Sequence, residues 1–179
     1  MPQLWMLEDL EPWPHAPESG DICSPSTCWV HADDTELPAE VCCTVAARVE
    51  AVPFGDRIER IAHLGQGFST AIGRGDGPTG EVELTGCLFW DHYLWIDYQT
   101  EPTGNLRITR SGCVVQHATP GPPDGYGWFT VTYGGPLEYR AAAQPVGQGY
   151  HIRWKALRVD IVTDGGTPSI QPPGRADAP

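Results

Sequence analysis

Residues Gly80–Tyr98 read GEVELTGCLFWDHYLWIDY, and their alternation of apolar and polar side chains decides the fold class. Successive side chains of a β-strand point to opposite faces, so a period of two predicts a strand over the first half. The side chains predicted to share the buried face are Val82, Leu84, Leu88 and Trp90. Glu81, Glu83 and Thr85 lie on the opposite, solvated face. Gly86 stands among the buried residues, which predicts a bulge or a close approach of another backbone.

The second half of this stretch predicts a hairpin. Asp91 and His92 are typical of a tight turn, and Tyr93–Ile96 then forms the returning strand. Clusters of aromatic residues are usually hydrophobic core. The alternative is a partly exposed binding face. Its residues are Trp90, Tyr93 and Trp95.

Alternating segments elsewhere in the chain predict further strands. These segments are 41–53, 57–64, 105–119, 128–133 and 150–163. For 57–64 a helical turn is the alternative, because Ile58, Ile61 and Leu64 have helical spacing. The last of them changes phase between Ala156 and Leu157, which predicts a bulge or bend. Residues 65–80 and 120–127 are rich in glycine or proline and are predicted to be connections, and a helical turn is predicted within 134–149.

This succession of about five to seven strands with no long helix predicts an all-β protein. Long, bent strands and loops of variable length favour a small Greek-key barrel that is OB-like, and a β-sandwich is the alternative. The barrel domain is predicted at 41–163. Residues 1–40 are predicted to be an irregular N-terminal arm, mostly loop with a short helix, and 164–179 a disordered, flexible tail.

The charge of the chain restricts the class of function. Its 179 residues carry 11 Lys and Arg against 23 Asp and Glu, a net charge of −12. An acidic chain repels polyphosphates at long range, so general nucleic-acid binding is disfavoured. The first residues lack the basic and apolar segments of a signal peptide, and no run approaches the ~20 apolar residues of a membrane-spanning helix. We therefore expect a soluble, cytoplasmic protein whose 6 cysteines are reduced thiols.

The apolar residues of the N-terminal arm are candidates for contact with a partner. Leu4, Trp5, Leu7 and Leu10 have the spacing of a short amphipathic helix, after which prolines interrupt the chain. In one interpretation, Trp5 and Trp13 anchor a docking peptide. In the other, the arm packs back on the protein's own barrel.

The cysteines and histidine between residues 23 and 43 have the composition of a zinc site. They are Cys23, Cys28, His31, Cys42 and Cys43, with the spacing C-x4-C-x2-H-x10-C-C. Zinc takes four nitrogen or sulfur ligands, so Cys28 and His31 would form one close pair, which Cys23 and either Cys42 or Cys43 would complete. The usual C-x2-C pairs are absent, and buried or idle thiols are the alternative interpretation. No other cofactor is predicted.

Basic residues on two of the predicted strands are candidates for binding single-stranded nucleic acid. They are Arg107, Arg110, Arg153, Lys155 and Arg158, and Trp154 lies among them. Basic side chains interleaved with aromatic ones contact phosphates and stack on bases in such proteins. A solvated outer face of the sheet is the alternative interpretation.

A catalytic site is not specified by any motif. No G-x-S-x-G or H-E-x-x-H sequence is present, and neither glycine pair in 65–75 is followed by the GK[ST] of a phosphate-binding loop. Asp91 and His92 are the candidates for a small enzyme's site, but a turn former with an exposed imidazole is the interpretation that we favour. No catalytic residue is assigned.

These observations predict a non-enzymatic binding module that engages a protein partner. The acidic charge is typical of an inhibitor, immunity-type or assembly protein that covers a basic site on its partner. The residues predicted to contact the partner are Trp5, Trp13, Phe89, Asp91, His92, Tyr93 and Trp95. A single-stranded nucleic-acid-binding protein and a small enzyme are the alternatives.

Overall fold

The computed structural model describes residues 3–10, 17–123 and 125–163. These residues form one sheet of ten strands, one short α-helix and two 3₁₀ helices, Ala32–Asp34 and Ala39–Val41. The elements, in chain order, are β1 Leu4–Glu8, β2 Ile22–Cys23, β3 Thr27–His31, β4 Cys43–Phe54, β5 Arg57–Gly65, β6 Phe68–Arg74, β7 Gly80–Trp90, α1 Leu94–Asp97, β8 Asn105–Pro123, β9 Phe129–Ala141 and β10 Tyr150–Val162. The prediction of an all-β protein is confirmed. Among the described residues, no helix has the length and apolar character needed to cross a membrane.

Strand β7 is the hub of the sheet, because it pairs with three other strands. Its first half, Gly80–Gly86, pairs antiparallel with β4. Its second half, Gly86–Trp90, pairs antiparallel with β3, while β1 runs parallel to it at Leu88–Trp90. Gly86 is the residue that both partners share, opposite Cys43 of β4 on one edge and His31 of β3 on the other. A Cβ atom on Gly86 would lie 1.9 Å from the carbonyl oxygen of Val30, so the predicted close approach is confirmed.

Five strands form a closed circuit of pairings, in which β7 pairs with β3, β3 with β6, β6 with β5, β5 with β4, and β4 with β7. The β3–β6 pairing is parallel, and its ladder consists of Cys28 opposite Ala71. Two buried threonines reinforce this junction. The hydroxyl of Thr27 donates to Oγ1 of Thr70 at 3.0 Å, and the hydroxyl of Thr70 donates to the Thr27 carbonyl oxygen at 3.0 Å. Each strand of the circuit therefore has a partner on both edges.

The other five strands extend the sheet from β7. Strands β1, β10 and β8 follow in that order, and β2 and β9 both pair with β8. The hairpin of β8 and β9 extends further than the adjoining strand β10. Strand β10 pairs with β8 as far as His117, whereas β9 follows β8 to Pro123. The end of this hairpin therefore projects beyond the rest of the sheet.

The N-terminal residues differ most from their prediction. Leu4–Glu8 is not a helix in a loose arm but the strand β1, inserted between β10 and β7. All five of its side chains are buried, because the strand is covered on both faces. A strand that is apolar on both faces lacks a period of two, which is why its pattern resembled a helix. Trp13 and the predicted tail, 164–179, lie outside the described residues.

Three other local predictions are wrong. Residues Phe68–Arg74, within the predicted glycine-rich connection, form β6, and its first five side chains are buried. Tyr93–Ile96 does not return as a strand, because the backbone turns into α1. A helical turn was predicted within 134–149, but the first part of this segment is extended, because β9 continues to Ala141.

Two of the strands predicted from alternation agree closely with the structure. Strand β7 ends at Trp90 as expected, and the predicted buried side chains Leu84, Leu88 and Trp90 are 5%, 0% and 0% exposed. Strand β10 occupies nearly the predicted residues. Its irregularities lie at Ile152–Trp154 and Arg158–Val159 rather than between Ala156 and Leu157, which are simply buried on opposite faces.

The buried side chains form a main core and a second layer on the opposite face of the central strands. Leu84, Leu88 and Trp90 of β7 belong to the main core, together with side chains from the closed circuit of strands and from β1, β8 and β10. Trp5 and Cys87 belong to the second layer. A third, smaller cluster lies under α1, where Leu94 packs against β5 and β6. This last contact places the turn that follows β7.

Candidate functional site

The turn from Tyr93 to Ile96, hereafter the aromatic turn, carries three large side chains that face solvent. Tyr93 is 51% exposed, Trp95 58% and Ile96 59%, while Leu94 between them is 2% exposed. Leu94 anchors the segment in the cluster beneath it. Large apolar side chains exposed together on one turn are a feature of interaction sites. The predicted contact residues Tyr93 and Trp95 therefore lie on an accessible surface.

Asp91 shapes the aromatic turn. Its Oδ1 accepts a hydrogen bond from the Tyr93 backbone N–H at 2.8 Å, and its carbonyl oxygen accepts one from the Leu94 N–H at 3.3 Å. A carboxylate that bonds its own backbone two residues on is a common turn former. The ring of His92 lies 5.5 Å from the ring of Trp90, at a tilt of 37°. These contacts give both residues a structural role at the end of β7.

The segment that follows the aromatic turn is tied to β5 by a buried carboxylate. Glu59 is 1% exposed, and its two oxygens accept the backbone N–H groups of Gln99 and Thr100, each at 2.8 Å. Burial raises the pKa of Glu59, but the hydrogen bonds from Gln99 and Thr100 and the charge of Arg57 outweigh burial and hold it below its ordinary value. The aromatic turn is therefore held by Leu94 beneath it and by Glu59 behind it.

A cavity of about 420 Å³ opens beside the aromatic turn, across the junction of β3 and β6. The ionisable groups that line it are Cys28, His31, Asp34, Arg74, Asp91, Asp97 and Tyr98. Arg74 forms an ion pair with Asp97 at 3.2 Å and lies over the ring of Tyr98, 5.9 Å from its centroid. Asp34 and Asp91 leave the lining with an excess of negative charge.

The thiol of Cys28 in this cavity is unsuited to nucleophilic chemistry. Burial, together with the charge of Asp91, raises the pKa of Cys28 to about 12. The thiolate is the reactive form of cysteine, and almost none of it exists near neutral pH at such a pKa. The cavity therefore offers an acidic recess and no activated nucleophile.

The predicted zinc ligands lie on different elements. Cys23 is buried on β2 and its thiol contacts the Leu106 carbonyl oxygen at 3.7 Å, whereas Cys28 and His31 stand at the two ends of β3. Cys42 lies just before β4. Across the part of the chain that the structure describes, no three His, Cys, Asp or Glu side chains are placed to share a metal ion. The four residues are therefore not brought together as a site.

Two of the other predicted contact residues, Trp5 and Phe89, pack in or against the second layer of the core. Trp5 is 9% exposed and packs edge-on against Tyr139, with ring centroids 5.1 Å apart. Phe89 is half-buried against the same layer. Trp5 is not available to a partner, and the hypothesis of a docking peptide built on it is corrected. The alternative, that this segment packs on its own sheet, describes Leu4–Glu8.

The predicted basic residues divide between faces of the sheet. Trp154, Ala156 and Arg158 alternate along one face of β10, and Arg158 lies opposite Arg110 of β8. Lys155 belongs to the other face. The remaining predicted residues, Arg107 and Arg153, differ in their surroundings. Arg107 lies opposite Asp160, whereas Arg153 stacks 4.0 Å from the ring centroid of Tyr133 and donates to Gln116 Oε1 at 3.0 Å.

Sequence reasoning missed the tip of the β8–β9 hairpin. Tyr126 is 91% exposed, Trp128 76% and Phe129 56%. The sequence placed Tyr126 in a proline- and glycine-rich loop and Trp128 and Phe129 in a strand. Three aromatic residues within four positions of such a loop were the available signal. A hairpin that projects beyond its neighbours has no sheet face on which to bury them.

No protein-family model, no curated protein and no solved structure matches the chain. Within the described residues, the aromatic turn and the arginines of β8 and β10 combine exposure with charge. The aromatic turn has large apolar side chains and an acidic rim. The arginine face has basic side chains next to the half-buried rings of Tyr139 and Trp154.

Proposed function

We propose that the chain is a non-enzymatic binding protein that engages a basic surface of a protein partner through the aromatic turn. The observation that carries this proposal is the exposure of Tyr93, Trp95 and Ile96 on one turn whose backbone is fixed by Leu94 and Asp91. A rigid turn loses little conformational entropy on binding, because its side chains are already presented. Tryptophan and tyrosine are also the residues that contribute most to binding energy at protein interfaces.

The charge around the aromatic turn indicates the chemistry of the partner. Asp91 and Asp97 flank the turn, and Asp34 lines the adjoining cavity. The net charge of −12 adds a long-range field of the same sign. Complementary charge accelerates encounter and disfavours wrong partners, so a basic protein surface is the matching occupant. An inhibitor, immunity-type or assembly protein would act in this way, by covering a basic site.

The closed circuit of pairings supports a finer proposal about the fold. We propose that β3 to β7 form a small closed barrel of OB-like type, with β1, β10, β8, β9 and β2 continuing from it as an open sheet. The parallel β3–β6 pairing closes the circuit, and closure removes exposed strand edges. A β-sandwich, with two sheets packed face to face, is the alternative arrangement.

The two alternative functions have less support. A single-stranded nucleic acid would need a continuous basic track, whereas the predicted basic residues divide between faces of an acidic protein. An enzyme at Asp91 and His92 would need groups free to move protons. Asp91 is instead engaged with the backbone of its own turn.

The test is capture of the partner by the full chain and by matched variants. We expect Trp95→Ala to weaken binding at least tenfold while leaving the melting temperature unchanged, because an exposed anchor residue contributes to binding and little to folding. Phe54→Ala is the matched control, since Phe54 is 47% exposed at the far end of β4 and should bind normally. Deletion of the N-terminal residues is unsuitable, because it removes β1 from the middle of the sheet.

Salt and partner chemistry supply the second readout. We expect the captured protein to be basic and its association rate to fall as ionic strength rises. Equal capture by wild type and Trp95→Ala would remove the aromatic turn from the interface. Recovery of nucleic acid alone, with no protein partner, would overturn the proposal.

A further inference from the structure

Two arginines face each other across neighbouring strands of the sheet. Arg110 of β8 lies directly opposite Arg158 of β10, and on its other side Arg158 lies opposite Trp5 of β1. Like charges directly opposite each other on antiparallel strands destabilise the pair. Among the described residues, neither arginine has an ion-pair partner within 4.0 Å. The described part of the structure therefore supplies no ion pair for either of these two positive charges.

Two hydrogen-bonding groups, one within this arginine pair and one next to it, also have no partner among the described residues. They are Nε of Arg158 and the hydroxyl of Tyr139, and both atoms are buried. Buried polar atoms in folded proteins are nearly always hydrogen-bonded, so an unpartnered pair at one place indicates a missing acceptor. A single acceptor between the two groups would satisfy both.

The position of Tyr139 is fixed by the packing around it. Its ring packs against Trp5, and its hydroxyl lies over Gly112, where a Cβ atom would come within 2.8 Å of the oxygen. Burial raises the pKa of Tyr139, while the charges of Arg110 and Arg158 act in the opposite direction. The hydroxyl is therefore a protonated donor, and it lies close enough to both guanidinium groups to sense their charge.

We infer that Arg110, Arg158 and Tyr139 form a binding site for a single phosphate group. Guanidinium groups donate paired, parallel hydrogen bonds to phosphate oxygens, and two of them approach the anion from adjacent strands. The phenol hydroxyl supplies a further donor from the side. A bound phosphate would neutralise the facing arginines and accept from the two buried groups. This site is independent of the aromatic turn.

The surroundings favour an isolated phosphate over a nucleic-acid backbone. Arg107 continues the same strand, but it lies opposite Asp160, and Lys155 is on the other face of β10. The basic surface is therefore short. The net charge of −12 opposes the approach of a polyanion, while a single phosphate held by two arginines needs no extended track. The chemical class of the ligand is accordingly a phosphate monoester or inorganic phosphate.

The test is the thermal stability of the full chain in sodium phosphate and in sodium chloride of equal ionic strength. We expect phosphate to raise the wild-type melting temperature by roughly 3–6 °C once its concentration is about ten times the dissociation constant. Arg110→Gln and Arg158→Gln should each abolish this rise. Arg48→Gln is the matched control, because Arg48 lies on β4 opposite Glu81 and should leave the rise unchanged.

Stability without phosphate distinguishes a binding site from a structural pair. In chloride, Arg110→Gln should melt no lower than wild type, because it relieves the repulsion between the facing arginines. Tyr139→Phe keeps the packed ring and removes the hydroxyl, so it should weaken phosphate binding several-fold and remain folded. Calorimetric titration with inorganic phosphate measures this difference directly.

Comparison of different phosphate-containing ligands identifies the source of the phosphate. O-phosphoserine should bind at least as well as inorganic phosphate. Equal phosphate shifts in wild type and both glutamine variants would overturn the site. Tighter binding of a dT oligonucleotide than of phosphate, with a salt dependence that indicates several contacts, would also overturn it in favour of a nucleic-acid surface.

Discussion

Gly86 of β7 and Val30 of β3 lie so close that a Cβ atom on Gly86 would stand 1.9 Å from the Val30 carbonyl oxygen. The obstruction is backbone, which cannot rotate away as a side chain would. We therefore expect Gly86→Ala to destabilise the protein by about 3 kcal/mol, from overpacking and from the strain of its φ of +152°. Urea unfolding measures the change.

A second glycine separates steric overlap from backbone strain. Gly80 also has a positive φ, +85°, but a Cβ atom there would meet nothing within 4 Å. Gly80→Ala should therefore cost about 1–2 kcal/mol, the usual penalty of that conformation for a residue with a side chain. Equal losses for the two variants would show that the approach of Val30 does not matter.

Thr27 and Thr70 provide a test of the junction that closes the circuit of strands. Thr70→Val removes one hydroxyl and leaves the buried Thr27 hydroxyl without its acceptor, so we expect a loss of about 1–3 kcal/mol. Thr27→Val combined with Thr70→Val removes both groups and should destabilise less than the two single losses added together. A double-mutant cycle in urea gives this coupling, and strict additivity would argue against the paired hydroxyls.

Glu59 should make stability depend on pH in a defined direction. Its pKa in the folded protein lies below the ordinary value of 4.5, so its contribution is complete above that value and is lost as the pH falls through the folded pKa. Glu59→Gln should lower the free energy of unfolding by about 2 kcal/mol at pH 7, because an NH₂ group, which donates, replaces one of the two oxygens that accept an N–H. The difference from wild type should shrink below pH 4.5.

Exposed carboxylates supply the comparison for Glu59. Glu50 pairs with His63 at 3.2 Å, and the two side chains are 64% and 46% exposed. Glu50→Gln should change stability by no more than about 0.5 kcal/mol, since exposed ion pairs contribute little. Unfolding free energies at pH 7, 4 and 3 for the three proteins show whether Glu59 alone carries the acid dependence described above.

Replacement by alanine should lower the free energy of unfolding greatly at Trp5 and hardly at all at Trp128. Trp5 is 9% exposed within the second layer, so Trp5→Ala should cost about 3–5 kcal/mol and lower the yield of folded protein. Trp128 is 76% exposed, and Trp128→Ala should stay within about 0.5 kcal/mol of wild type. Comparable stabilities for the two variants would contradict the placement of β1 inside the sheet.

The sequence was most informative where one face of a strand meets water. The alternation of Glu81, Glu83 and Thr85 with buried neighbours located β7, since exposure of one face imposes a period of two. Strands β1 and β6 are covered on both faces and show no such period. Their pairing with distant strands, such as Leu4 with Val159, leaves no local trace.

The candidate sites were predictable in part for the same reason. Tyr93 and Trp95 were expected near a surface because they follow a turn, yet the helical turn that exposes them depends on Leu94 packing under α1. Arg110 lies opposite Arg158 because of the register between β8 and β10. An irregularity between Arg158 and Val159 shifts that register. Neither the packing nor the register can be obtained from composition or spacing.

The position of β1 has a consequence for how the chain acquires its structure. Synthesis from the N-terminus produces Leu4–Glu8 first, yet one of its two partner strands, β10, is produced last. Until Tyr150–Val162 has left the ribosome, the central part of the sheet lacks a strand, and an apolar segment has no place beside its second partner. Pairings this distant in sequence form slowly, and the unprotected strand is exposed to aggregation in the meantime. The central part of this sheet can therefore be completed only after β10 has been synthesised.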